Sequence, residues 1–216
     1  MDSRLRDKLD TFFASYPLHV FDVGELLVQA NDPPLGIFYL EKGIVRQYDI
    51  SQQGTEIVVN VFKTPAFFPM AWAITGIPNR YFFEALLPVK TRVAPPEDVV
   101  KFLQNNNDVM FNLLSRLYSG VEGMQRRMAH LMGGSARTRL IFELITECKR
   151  FGTRSEDGEY VLTIREDELG ARAGLTRETV NRELMELKRQ GFVNVEQKKL
   201  VVRNMQQLEE ELGERL

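Results

Sequence analysis

Seven apolar residues, Met110, Leu114, Leu117, Val121, Met124, Met128 and Leu131, recur at alternating spacings of four and three. A 3.5-residue period sustained over three heptads predicts a long helix paired with a second copy of itself as a two-stranded coiled coil. A stripe that only covers the rest of the chain is the alternative. A two-in-seven stripe is narrower than a core-facing helix usually shows, which favours the homodimer. Asp108 reads as the N-cap of this helix and Gly133-Gly134 as its end, with Ser135 capping the next.

Upstream the period is different. Leu26–Val28, Gly36–Leu40, Ile44–Tyr48 and Glu56–Phe62 are rich in β-branched and aromatic residues, punctuated by turn sequences such as Asn31-Asp32-Pro33-Pro34 and Glu41-Lys42-Gly43. Many short strands at this spacing predict an antiparallel barrel or jelly roll. A short helix follows Pro95-Pro96, over Glu97–Asn105.

Downstream, Leu169, Ala173 and Leu175 precede a second apolar face, Val180, Leu184 and Leu187, with Gly174 between them. Two short helices about a glycine turn are the sequence form of helix-turn-helix, and Thr176 is a sound N-cap for the second. On that helix Arg177, Glu178, Asn181 and Arg182 fall within roughly 140° of arc, away from the apolar face. Arg suits guanine O6/N7, Glu can accept from cytosine N4, and Asn can pair with adenine. A polar face alone is what every surface helix has. Its place after a glycine turn, between the strand Tyr160–Ile164 and the hairpin of Phe192–Val195 and Leu200–Val202, makes double-stranded DNA the expected partner. Lys198 and Lys199 sit at the tip of that hairpin, where a wing would meet phosphate.

Charge totals do not make this argument. The net charge is −2, and residues 136–205 carry 14 Lys and Arg against 12 Asp and Glu. The evidence lies in where the charges sit. No run reaches the roughly 18 apolar residues of a membrane helix, and the charged, amphipathic start MDSRLRDKLDTFF is unlike a signal peptide. A cytoplasmic address with no membrane partner is the expectation. Cys148, the one cysteine, lies on an apolar-periodic helix and reads as a buried structural thiol. A cupin-like barrel enzyme is the rival from another class, but such enzymes need several converging His/Glu ligands and the strand region holds only His19. No catalytic or metal-ligating set emerges. A regulator acting through protein contacts, with only non-specific DNA binding, is a second rival.

Over nearly its whole length, and most specifically over Leu162–Asn204, the chain resembles the CRP/FNR family of transcription regulators. The resemblance implies an α+β chain: an antiparallel β-barrel or jelly-roll sensor domain over 1–106, a coiled-coil dimerisation helix over 107–133, and a winged helix-turn-helix domain over 134–216. It implies that Arg177, Glu178 and Arg182 read a TGTGA-like half-site, two of which form a palindrome, and that Arg137, Thr176 and Thr179 touch phosphates. The family often has a small residue at the place of Asn181. The loop Phe151–Tyr160 matches a surface that can meet RNA polymerase.

Cyclic-nucleotide binders of the family carry a Gly-Glu pair and an Arg-Ser/Thr pair around a short helix. Here Pro69-Met70 and Arg80-Tyr81 stand instead, and Met124-Gln125 replaces hydroxyl side chains on the dimer helix. Proline offers no N–H and Met cannot accept from a ribose hydroxyl, so the residues argue against cAMP. The N-terminal cysteines of the iron–sulfur branch are absent as well. Two readings of Phe67, Phe68, Met70, Trp72, Tyr81 and Phe82 around Arg80 stay open. One is a filled interior, with no cofactor. The other is an apolar pocket, extended by Met124 and Gln125, for haem or another apolar effector anchored on Arg80. Arg80 also has Glu84 one helical turn away, if that stretch is helical.

Overall fold

The computed structural model describes residues 2–52, 54, 56–196 and 199–213. The chain divides between Arg116 and Leu117 into two compact units.

The first unit begins with α1 (Ser3–Phe13), then β1 (Leu18–Phe21), β2 (Leu26–Val28), β3 (Ile37–Ile50), β4 (Glu56–Lys63) and β5 (Ala66–Phe68). It continues with α2 (Met70–Thr75), β6 (Phe82–Ala94), α3 (Pro96–Asn105) and the start of α4 (Asn107–Gly133). The six strands form one antiparallel sheet in the order β1-β6-β3-β4, with β2 on β6 and β5 on β3. Among the described residues the ladder ends at β1 and β4, so the antiparallel sensor sheet expected as a barrel or jelly roll forms, with no strand pairing that closes it into a barrel. β3 and β6 are long enough to serve both halves: the start of β3 pairs with β5, its end with β4.

The two strands expected at Gly36–Leu40 and Ile44–Tyr48 are therefore one. Gly43 does not turn the chain but bulges it. Its φ is 101°, and a Cβ there would lie 2.6 Å from the Pro88 carbonyl oxygen. Glycine allows both, and the register shifts around it keep a single strand running. Period-two alternation then fills two cores. Phe38, Leu40, Ala66 and Phe68 point into the sheet interior with Val45, Phe83 and Val89. Ile37, Tyr39 and Phe67 point the other way, against Leu9 and Phe13 of α1, Val99 and Leu103 of α3 and Val109 of α4.

α4 starts at Asn107, two residues before the Val109 that an Asp108 N-cap would give. Asp108 is consequently in the first turn rather than at the N-cap, and accepts from Lys8 Nζ at 2.6 Å, which holds its carboxyl below the usual carboxylate range. α2 is a six-residue helix within the strand region, too short to show a period.

The second unit holds the rest of α4, α5 (Ala136–Phe151), β7 (Thr153–Arg154), β8 (Tyr160–Leu162), α6 (Glu166–Ala173), α7 (Arg177–Arg189), β9 (Val193–Glu196), β10 (Lys199–Val202) and α8 (Met205–Leu212). Its sheet runs β7-β8-β10-β9. Leu140, Ile141, Leu144 and Ile145 of α5 pack with Leu169 of α6, Val180 and Leu187 of α7 and Val202 of β10 in one buried cluster. Cys148 is buried there too, and burial pushes its thiol up to about 12, as suits a structural residue.

Candidate nucleic-acid interface

The turn between α6 and α7 is set by two glycines for different reasons. Gly174 ends α6 at φ 63°, and its N–H returns to the Gly170 carbonyl. Gly170 must be small: a Cβ there would lie 2.8 Å from the Leu175 carbonyl oxygen and 3.3 Å from Val180 Cγ2. Gly170→Val should destabilise the fold by about 1–3 kcal/mol through overpacking. Thermal unfolding checks this, and an unchanged midpoint would show that the turn has room to spare.

Thr176 caps α7 by accepting the Thr179 N–H at 3.3 Å, and the two hydroxyls lie 3.1 Å apart. With Val180, Leu184 and Leu187 buried, the opposite face of α7 is open. Arg177, Glu178, Asn181 and Arg182 are all exposed on it. Glu178 has a carboxyl below the usual range, held by the backbone N–H at the helix start, the Thr176 hydroxyl and Arg177. Arg182 pairs with Glu183 at 3.3 Å, with most of its side chain in the open. Arg139 donates to the Gly174 carbonyl at 3.2 Å, bracing the turn from α5.

Arg137 engages the far end of α7, donating to Gln190 at 2.5 Å and to Glu211 at 2.8 Å. Lys199 is exposed at the start of β10, while Lys198 lies outside the described residues. Two residues of this face escaped the sequence reading. Met185, seven positions after Glu178 and so on the same face, is 66% exposed. Glu166, at the start of α6, reaches α7: its carboxylate lies 3.5 Å from Arg177 Nε and accepts from Asn181 Nδ2 at 3.4 Å.

In the first unit, the residues expected around Arg80 are shared among different neighbourhoods. Phe68 stacks on Phe38 and Phe83 in the sheet interior, where Tyr81 also packs. Phe67, Met70 and Trp72 belong to the helix-facing cluster, and Phe82 stacks on Tyr48. Arg80 is exposed and pairs with Asp49 at 3.1 Å. Its expected partner Glu84 is held by Arg46 at 2.7 Å, because β6 begins at Phe82 and Glu84 lies on a strand rather than one helical turn from Arg80. Met124 and Gln125 are exposed on α4. Of the heptad residues, Met110 packs into the helix-facing cluster, whereas Leu114, Leu117, Val121, Met124, Met128 and Leu131 are 39–66% exposed.

Residues 138–211 match the family model described as a Crp-like helix-turn-helix domain, and residues 18–106 the one described as a cyclic nucleotide-binding domain. The chain belongs to the CRP/FNR family. It is 28% identical over 193 residues to a global nitrogen regulator of Synechocystis sp., a match covering 87% of this chain and 84% of that protein. It is 26% identical over 152 residues to the transcriptional regulator SdrP of Thermus thermophilus, covering 70% and 71%. The fold is similar to that of the c-di-GMP responsive global regulator CLP of Xanthomonas campestris, with a TM-score of 0.76 at 16% identity, covering 92% and 99% of the two chains. This CRP/FNR protein is thus a transcription regulator with a helix-turn-helix DNA-binding domain. Among the described residues no helix is long and apolar enough to cross a membrane, and no group of three or more His, Cys, Asp or Glu is placed to hold a metal.

Proposed function

We propose that this regulator binds a palindromic, TGTGA-like operator as a homodimer, one half-site per protomer, and responds to something other than cAMP. The observation that carries this reading is the open face at the N-terminal half of α7, where Arg177, Glu178, Asn181 and Arg182 stand together on a helix braced by the Gly174 turn. Recognition helices meet base edges through their N-terminal residues. In this assignment Arg177, Glu178 and Arg182 read bases, with Asn181 shifting the preferred site. Thr176, Thr179, Lys199 and Lys198 meet phosphate. Arg137 does so after releasing Gln190 or Glu211. The working parts are a sensor over 1–106, a dimer helix over 107–133 and a reading head over 134–216, whose Phe151–Tyr160 loop is the surface open to RNA polymerase.

Pairing is supported by the exposed apolar seam of α4, which a single chain leaves in water. The case against cAMP rests on Pro69, which caps α2 without a side-chain bond, and on the Asp49 pair that occupies Arg80. The aromatic stacking around Phe68 favours a sheet interior packed with rings over one hollowed for haem or another apolar effector. Arg182→Ala tests the base-reading assignment. It should lose about 1–3 kcal/mol on cognate DNA and much less on random DNA, measured by fluorescence anisotropy. Equal losses on both would make Arg182 a phosphate contact and overturn the assignment.

A further inference from the structure

Three acidic residues open α6, which is an unusual charge to place beside phosphates. Two have local cationic partners: Asp167 pairs with Arg165, and Glu168 with Arg172, which also holds the buried Glu147. Glu166 instead spans the turn and meets α7 at two residues one helical turn apart, Arg177 and Asn181. Its side chain is partly shielded, and it borders a cavity of about 510 Å³ between the start of α6, α7 and the β9–β10 hairpin.

We infer that Glu166 is a positioning residue for base reading, setting the orientation of Arg177 and Asn181 before DNA arrives. The inference rests on the assignment of those two residues as base readers. The chemistry is directional. The carboxylate forms an ion pair with Arg177 in which Nε is the nearest nitrogen, at 3.5 Å, and that side-on approach leaves the two terminal nitrogens of the guanidinium as a fork for guanine O6 and N7. A carboxylate can only accept, so Asn181 must turn Nδ2 toward it. That leaves Oδ1 and the second N–H for an adenine edge, which offers one donor and one acceptor. Without Glu166 both side chains lose a fixed orientation, and each base contact then has to order a mobile group. Arg182, which pairs with Glu183, lies outside this device and serves as an internal reference.

The test is selection of bound sequences from a random DNA pool by the full-length protein. Profiles of Arg177→Ala and Asn181→Ala mark the base positions that each residue faces. Glu166→Ala should flatten the preference at those positions, including an adenine preference opposite Asn181, and leave the Arg182 position sharp. Cognate affinity should fall about tenfold while random-DNA affinity holds or rises. Glu166→Gln keeps the size but offers one acceptor where the carboxylate has two, so it should restore preference at one of the two positions. An unchanged profile with cognate and random affinities rising together would reduce Glu166 to a repelling charge, and overturn the inference. Flattening at all three positions at once would do the same, since it reports a disturbed fold. A wild-type protein that selects no site would sink the base-reading assignment itself. A wild type that selects a site which Glu166→Ala also selects, equally sharply, sinks the positioning role alone.

Discussion

The double substitution Leu117→Glu, Val121→Glu should leave the protein monomeric and lower its affinity for a two-half-site operator by about 10²–10⁴-fold, the range avidity commonly supplies. Both residues lie on the 3.5-residue seam of α4, with 60% and 40% of their surfaces in the open, and Met124 and Met128 continue it at 66% and 58%. Each apolar Å² that a partner helix covers contributes roughly 25 cal/mol. A carboxylate at a seam position removes that gain and must be stripped of water to enter the interface. Sedimentation velocity reads the mass, and anisotropy on single and paired half-sites reads the rest. Single half-site affinity should barely change, since Leu117 and Val121 lie on α4 and are not among the residues of the α7 face. A variant that stays dimeric would remove the seam from the interface, and with it the paired-site mechanism.

The reading head was legible because its signals are local. A glycine at positive φ, a threonine cap and the Val180–Leu184–Leu187 stripe each act within one or two turns of chain, so their spacing is written in sequence. The errors arose where long-range packing decides. Gly43 reads as a turn residue, yet the contacts of β3 with both halves of β6 keep the strand running and use the glycine for a bulge. The alternative pairing of Arg80 with Glu84 required helix where β6 is about to begin, and the cation goes instead to Asp49 on a neighbouring strand. Glu166 gave no sign of a special role, because an acid in the first turn of a helix is what the dipole alone would favour. Its contacts arise only once the turn at Gly174 brings α6 against α7. The aromatic cluster shows the same limit: sequence put Phe67 and Phe68 side by side, and the pleat sent them to opposite faces.

Arg127→Ala should destabilise the second unit by roughly 3–5 kcal/mol, the usual result of leaving one partner of a buried ion pair behind. Glu143 on α5 is 1% exposed, and Arg127 on α4 donates to it twice, from Nε at 2.6 Å and from Nη2. Burial raises the Glu143 carboxyl above the usual carboxylate range, against the pull of Arg127; Glu147 adds to the rise and Arg172 opposes it. A carboxyl whose folded pKa lies above its unfolded value binds its proton more tightly in the native state. Its contribution is therefore fully present below the unfolded pKa, about 4.3, and is lost as pH rises through the folded value. Removing Arg127 raises the folded value further. The stability gap between variant and wild type should then be widest near neutral pH and shrink as the solution is acidified and Glu143 takes up a proton. Urea unfolding at a series of pH values reads the gap, and Glu143→Gln in the Arg127→Ala background should recover most of it. A gap independent of pH would mean that the loss is packing by the arginine stem rather than an exposed cost of buried charge. Arg127 lies between the seam residues Met124 and Met128, and α5 packs directly on α6 and α7, so this pair ties the proposed dimer helix to the helices proposed to meet DNA. Loosening it should weaken operator binding while leaving the dimer mass intact, whereas the seam substitutions should lower both.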